Sequence, residues 1–150
     1  MSTTGSAVSA STVPGRALVL VAAGYRDLEF WYPVLRLREA GLEVDILAAE
    51  GDSTVRSELG YPVIPNGAIA GATVTRYDVV VVPGGAAGEA LASDETAVAL
   101  LTSTASSGGL VVTIGTGAGV ADAAGIMAPT CQDADGLPEL MRNVMAGLGK

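Results

Sequence analysis

The run Tyr77-Asp-Val-Val-Val-Val-Pro83, leading straight into Gly84-Gly85, constrains the fold more than any other stretch of this chain. A strand built on four consecutive valines has no polar face to offer water, so both of its faces are buried. Such a strand belongs inside a parallel sheet with helices covering both sides. Two further runs have the same character: Arg16-Ala-Leu-Val-Leu-Val-Ala-Ala-Gly24, and Leu110-Val-Val-Thr-Ile114, which enters Gly115-Thr-Gly-Ala-Gly119. Each ends in glycine-rich sequence, where a turn into a helix is expected.

The intervening segments supply the helices. Asp27 to Ala40 is predicted helical, with Leu28, Trp31 and Leu35 on one stripe and Gly41 closing the C-terminus. Leu42 to Ala48 then reads as a second strand, completing a βαβ unit. Between Gly51 and Thr75, Pro62, Pro65 and Asn66-Gly67 break the pattern, and a small hairpin or irregular excursion is expected. Asp94 is placed to cap a helix running to about Ser106. A short helix follows through Ala124. Asp135 is expected to cap a last helix, with Pro138 tolerated in its first turn. No internal repeat is present. Strands alternating with helices give an α/β fold: a doubly wound, mostly parallel sheet in a flavodoxin-like three-layer sandwich.

Composition limits the chemistry. The chain of 150 residues suits one domain, and 49% hydrophobic content is far too apolar for disorder. No apolar run reaches the roughly 18–20 residues of a membrane span. A net charge of -8 with eight basic residues leaves no footprint for nucleic acid or an anionic membrane, and neither is an expected partner. The single cysteine, Cys131, permits no intrachain disulfide. The absence of histidine excludes Ser-His-Asp and Cys-His catalysis within one chain, and a lone Cys with carboxylates is a poor zinc site. Residues 1–15 lack the charged start and apolar block of a secretory signal. They are read as a disordered tail before a domain spanning 16–150, with the cytoplasm as the expected location.

In an open α/β sheet, ligands sit beyond the carboxyl ends of the strands. Three loops should meet there: Gly24 to Glu29, Pro83 to Ala87, and Gly115 to Gly119. Helix N-termini at such loops carry unpaired N–H groups suited to an oxyanion.

These loops carry a resemblance. Gly24-Tyr-Arg-Asp-Leu-Glu29 after a strand, then Tyr32-Pro33 and Gly41-Leu-Glu-Val, resembles the first βαβ unit of the ThiJ/PfpI family. Asp78-Val-Val-Val-Val-Pro83-Gly84-Gly85 resembles its second signature, in the right order and spacing. The likeness covers roughly Arg16 to Ile126 plus the closing helix. It implies a homodimer, a nucleophilic cysteine on a sharp strand-to-helix elbow, a glutamate hydrogen-bonded to that cysteine, and oxyanion donors on the Gly-Gly loop. The glutamate corresponds to Glu29 and the donors to Gly84, Gly85 and Ala86. At the elbow, Gly115 stands where the cysteine is expected and Thr116 where a histidine is usual. The region after Ile126 is also short, passing from Pro129-Thr-Cys-Gln-Asp almost directly to Leu137, so the fold is expected to be C-terminally shortened.

Each candidate has a plainer alternative. Glu29 is a pocket acid or base of raised pKa, or an exposed carboxylate near a helix N-terminus. Pro33, four residues on, cannot donate to the Glu29 carbonyl and loosens the helix there. Tyr25 offers a phenol to the pocket or simply packs. Arg26 lines the mouth and selects ligands by charge, or forms a solvated pair with Asp27. Thr116 has no base in the nearby motifs to activate it and is read as a polar wall. Cys131 is read as buried and inert. Gly115-Thr-Gly-Ala-Gly119 fails the dinucleotide pattern, since position 120 is valine, so no cofactor is expected.

Two functions remain in contention. The first is a cofactor-independent enzyme of the lyase, isomerase or hydratase type, acting on a small molecule with Glu29 as general acid or base. Gly84, Gly85, Ala86, Gly115, Thr116, Tyr25 and Arg26 would form its substrate pocket. The second is a catalytically inactive ligand-binding or regulatory protein, or a structural partner of an active paralogue.

Overall fold

A computed structural model describes residues 15–49, 53–74 and 76–149. The tail read over 1–15 lies outside the described residues except for Gly15. Strands are β1 (Arg16–Val21), β2 (Glu43–Ala48), β3 (Val55–Arg56), β4 (Pro62–Val63), β5 (Gly67–Ala68), β6 (Val79–Val82), β7 (Leu110–Ile114) and β8 (Thr130–Cys131). Helices are α1 (Asp27–Glu39), α2 (Ala86–Ala92), α3 (Glu95–Ser106), α4 (Ala118–Ala124) and α5 (Leu137–Gly147).

Among the described residues, six strands form one sheet in the order β5-β2-β1-β6-β7-β8. Every pairing in it is parallel. The expected doubly wound α/β architecture is therefore present. The valine run sits in the middle as β6, all four residues buried. Its alternation divides the core into two layers. Val79 and Val81 join Val19, Phe30, Val34 and Met141 beneath α1 and α5. Val80 and Val82 join Leu18, Leu20, Leu91 and Leu101 beneath α2 and α3. Burying a side chain of this size contributes about 1.5–3 kcal/mol before the opposing entropy. No helix among the described residues is long and apolar enough to cross a membrane.

Asp94 caps α3 as expected, its Oδ1 accepting from the N–H groups of Thr96 at 2.9 Å and Ala97 at 3.1 Å. Two expectations need correction. The stripe Leu28, Trp31, Leu35 does not face the core: Leu28 is 62% and Leu35 54% exposed. The buried face of α1 carries Glu29, Phe30, Pro33, Val34 and Leu37 instead. Both faces are apolar, so spacing alone could not tell them apart, and the Tyr25–Phe30 ring contact at 4.7 Å belongs to the inner one. The cap near the last helix is Asp133, not Asp135. Its Oδ1 accepts from Asp135 N at 3.1 Å and starts a 3-10 turn that feeds α5. The small hairpin expected between Gly51 and Thr75 is present. It is the antiparallel ribbon of β3 with β4. Asn66 docks at the sheet edge, its Oδ1 accepting from Ile46 N and its own N–H donating to Ile46 O, both at 2.6 Å.

Candidate functional site

The carboxyl ends of β1, β6 and β7 converge, as the topology requires. After β1 the chain turns at Gly24, with φ +78° and its N–H donating to Arg56 O. The Tyr25 backbone then bridges both Ser57 and Gly85. This pins the excursion and the Gly-Gly loop to the start of α1. The phenol of Tyr25 is buried and donates to Tyr61 O at 2.9 Å, so it packs rather than facing the site. Burial raises the pKa of that phenol.

Glu29, in the first turn of α1, is only 2% exposed. Its Oε1 accepts from the backbone N–H of Gly84 at 3.0 Å. Its Oε2 lies 3.8 Å from the Arg26 guanidinium, which also reaches Glu58 at 3.6 Å. Burial pushes the Glu29 carboxyl above its ordinary range, opposed by the Gly84 N–H and Arg26 and reinforced by Asp133 and Glu58. A buried carboxyl of raised pKa is equipped to hold and hand over a proton.

The Gly-Gly loop tolerates no side chain at its first position. A Cβ on Gly84 would collide with Glu29 Oε1 and lie 2.9 Å from Ile114 O. Gly85 adopts φ +77° and a Cβ there would press on Gly24 O. Ala86 opens α2. Across from this loop, Gly115 forms the elbow after β7 with φ +55°. A Cβ at this position would stand 3.5 Å and 3.8 Å from the two Glu29 oxygens. The position that resemblance assigns to a nucleophile thus abuts Glu29, and here it carries no side chain. The Thr116 hydroxyl donates to Gly85 O at 2.7 Å, tying the elbow to the Gly-Gly loop. Thr116 and Ala86 lie in the first turns of their helical segments, where backbone N–H groups lack intrahelical acceptors.

The structure therefore brings Glu29, Arg26, Gly84, Gly115 and Thr116 together and turns the Tyr25 phenol away. Residues 15–137 match the model of the DJ-1/PfpI family. The chain belongs to the DJ-1/PfpI family. Protein dj-1beta of Drosophila melanogaster is 33% identical over 99 residues, 65% of this chain and 53% of that protein. A deglycase of Pyrococcus abyssi is 32% identical over 112 residues, 75% of this chain and 67% of that one. The crystal structure of Drosophila DJ-1beta matches with a TM-score of 0.72 at 30% identity, covering 76% of this chain and 62% of the other. The chain spans about half the length of several such relatives, among them dj-1beta at 53% and a Thermococcus kodakarensis deglycase at 51%.

A cavity of about 470 Å³ opens beside Glu29. Several residues on its wall, Glu58, Leu59, Asp133, Ala134 and Asp135, were not read from the sequence as site residues. The last three follow β8, whose two residues give no readable strand pattern. Cys131 ends β8 opposite Ile114, next to the elbow. Its thiol donates to Asp133 O at 3.4 Å. Burial, then Glu29 and Asp133, push the Cys131 pKa up, which keeps it protonated and poorly nucleophilic. Among the described residues, no group of His, Cys, Asp and Glu is arranged to hold a metal ion.

Proposed function

We propose that this chain is a cofactor-independent enzyme that moves a proton on a small organic molecule, in a lyase, isomerase or hydratase step. The observation that supports it is Glu29: buried, fixed at Oε1 by Gly84, and facing the space that a side chain at position 115 would fill. A substrate atom in that space would lie within reach of Oε2. Glu29 would act as general acid or base there. Because the Gly84 N–H is engaged by Glu29, the backbone N–H groups of Ala86 and Thr116 are the better donors for a developing oxyanion. Relatives in the family include proteins named deglycases, which supports an enzymatic role. An activity of that kind would proceed here without a thiol at position 115. The protein is expected to work in the cytoplasm without a cofactor.

The alternative, a ligand-binding protein without turnover, draws support from the bare elbow and the protonated Cys131. One experiment separates the two. In a turnover screen over small carbonyl and hydroxy compounds, Glu29→Gln should reduce any wild-type activity by about 100- to 10,000-fold with binding nearly intact. Undiminished turnover in the variant rules out the mechanism. Binding without turnover in either protein favours the alternative.

A further inference from the structure

The Asn66-Gly67 step at the sheet margin has no part in the proposed reaction, yet it carries a chemistry of its own. Asparagine followed by glycine is the dipeptide most prone to close into a succinimide, because no side chain shields the glycine nitrogen and its backbone turns freely. The chain has two asparagines, and the other, Asn143, precedes the β-branched Val144 inside α5. Nothing in the fold demands the glycine. Gly67 does not adopt a positive φ, and a Cβ there would meet Leu47 Cδ2 at 3.6 Å, an ordinary contact. Asn66 is exposed, and β5 pairs with β2 only through Leu47 with Gly67 and Ala48 with Ala68. So short a pairing at a margin opens locally at little cost. The side chain of Asn66 also holds this margin, since its Oδ1 accepts from Ile46 N at 2.6 Å. Just beyond it, Ile69 and Ala72 are buried in one core layer with Leu47.

We infer that Asn66 is a site of spontaneous covalent modification, and that the isoaspartate formed there releases β5 from the sheet. When the margin opens, the Gly67 nitrogen loses its proton and attacks Asn66 Cγ. The new N–Cγ bond closes a five-membered ring, the Cγ–Nδ2 bond breaks, and ammonia leaves with the proton. Solvent water then opens the ring at either carbonyl, giving aspartate or isoaspartate. The net change is amide plus water to carboxylic acid plus ammonia, with no oxidant or cofactor. Aspartate keeps the main chain and an acceptor for Ile46 N–H. Isoaspartate does neither. Its main chain runs through the former side-chain carbons and is one atom longer, so Gly67 and Ala68 fall out of register with Leu47 and Ala48. Its free carboxylate sits directly on Cα, one carbon short of the reach that Oδ1 has to Ile46 N. The inference goes beyond the proposed function and does not rest on it.

The test ages the intact folded protein in mildly alkaline buffer and follows it by peptide mapping. Conversion is read as the gain of one mass unit, and isoaspartate in the Asn66 peptide is counted by isoaspartyl methyltransferase labelling. Asn66 should convert several-fold faster than Asn143, with isoaspartate a main product. Gly67→Ala should slow the conversion several-fold at unchanged urea stability. Hydrogen exchange by NMR should find Ile46 N–H equally protected in fresh protein and in Asn66→Asp, but exchanging many-fold faster in the separated isoaspartate form, which should also unfold at lower urea. Conversion of Asn66 no faster than Asn143 would overturn the inference. So would a wild-type rate in Gly67→Ala, or an isoaspartate form with the exchange and urea midpoint of the fresh chain. The comparison with Asn143 and the exchange measurement use the unsubstituted chain, so they decide the matter even where a variant is unstable.

Discussion

The backbone N–H of Gly84 donates to Glu29 Oε1 at 3.0 Å, joining a helix residue to a strand-end loop 55 positions away. This bond fixes one carboxyl oxygen and leaves the other to the cavity. It also requires that nothing stand between the loop and the acid, which makes Gly84 as demanding a position as Glu29 itself.

Gly84→Ala should be among the most damaging single-methyl additions in the chain. The new Cβ would meet Glu29 Oε1 and Ile114 O, one a pinned side chain and the other the backbone at the end of β7. Overpacking against atoms that cannot yield costs about 1–3 kcal/mol. Urea denaturation should show a loss of that size, whereas Gly71→Ala, where a Cβ meets nothing within 4 Å, should change stability by much less. Equal stability of the two variants would mean that the loop moves freely.

Glu29→Gln should alter the dependence of stability on pH. The folded chain holds the Glu29 proton more tightly than the unfolded chain, where the carboxyl has its ordinary value of 4.5. Its favourable contribution is then complete below about that pH and is lost as pH rises through the raised folded value. At pH 7 the amide should therefore be at least as stable as the acid, because it is never ionised and can still accept from Gly84. Below 4.5 that advantage should vanish. Paired urea melts at pH 7 and pH 4 check this, and a variant markedly weaker at pH 7 would contradict it.

Cys131 should react slowly with iodoacetamide in the native protein. The thiolate is the reactive form, and burial with two neighbouring carboxylates disfavours it. The rate at neutral pH should fall below that of free cysteine and climb as pH passes the ordinary thiol value. Mass spectrometry of the time course measures it. A rate equal to or above that of free cysteine at pH 7 would show an activated thiol instead.

Copies of the chain should pair through the outer face of α1. Leu28 and Leu35 are exposed there, with Trp31 half-buried between them and Leu59, Tyr61 and Ile64 exposed on the neighbouring excursion. Apolar surface of this kind usually has a partner. Sedimentation at tens of micromolar should give a dimer, and Leu28→Glu with Leu35→Glu should give a folded monomer. A monomeric wild type would rule the pairing out.

Much of this was legible from the chain itself, for physical reasons that differ from element to element. The valine run needed no context, because no arrangement leaves it half exposed. Glu29, Gly84 and Gly115 could be placed together because each follows the end of a strand, and parallel topology brings those ends to one edge. The buried face of α1 was not legible, since Phe30 and Leu28 are equally apolar and only the sheet beneath chooses between them. Glu58 and Asp133 were not legible either. One arrives from an irregular excursion and the other from a two-residue strand, so their meeting at the cavity is a product of tertiary packing alone.

Both outermost strands of the sheet, β5 and β8, are two residues long. At the first, the Asn66 side chain also takes the Ile46 N–H that a longer strand would have claimed. An edge this short offers almost no template of open backbone donors and acceptors to an incoming strand. Growth of the sheet from one molecule into the next is thereby blocked at both margins. Self-association is left to side chains on helices, where it can stop at a closed pair instead of running on into fibres.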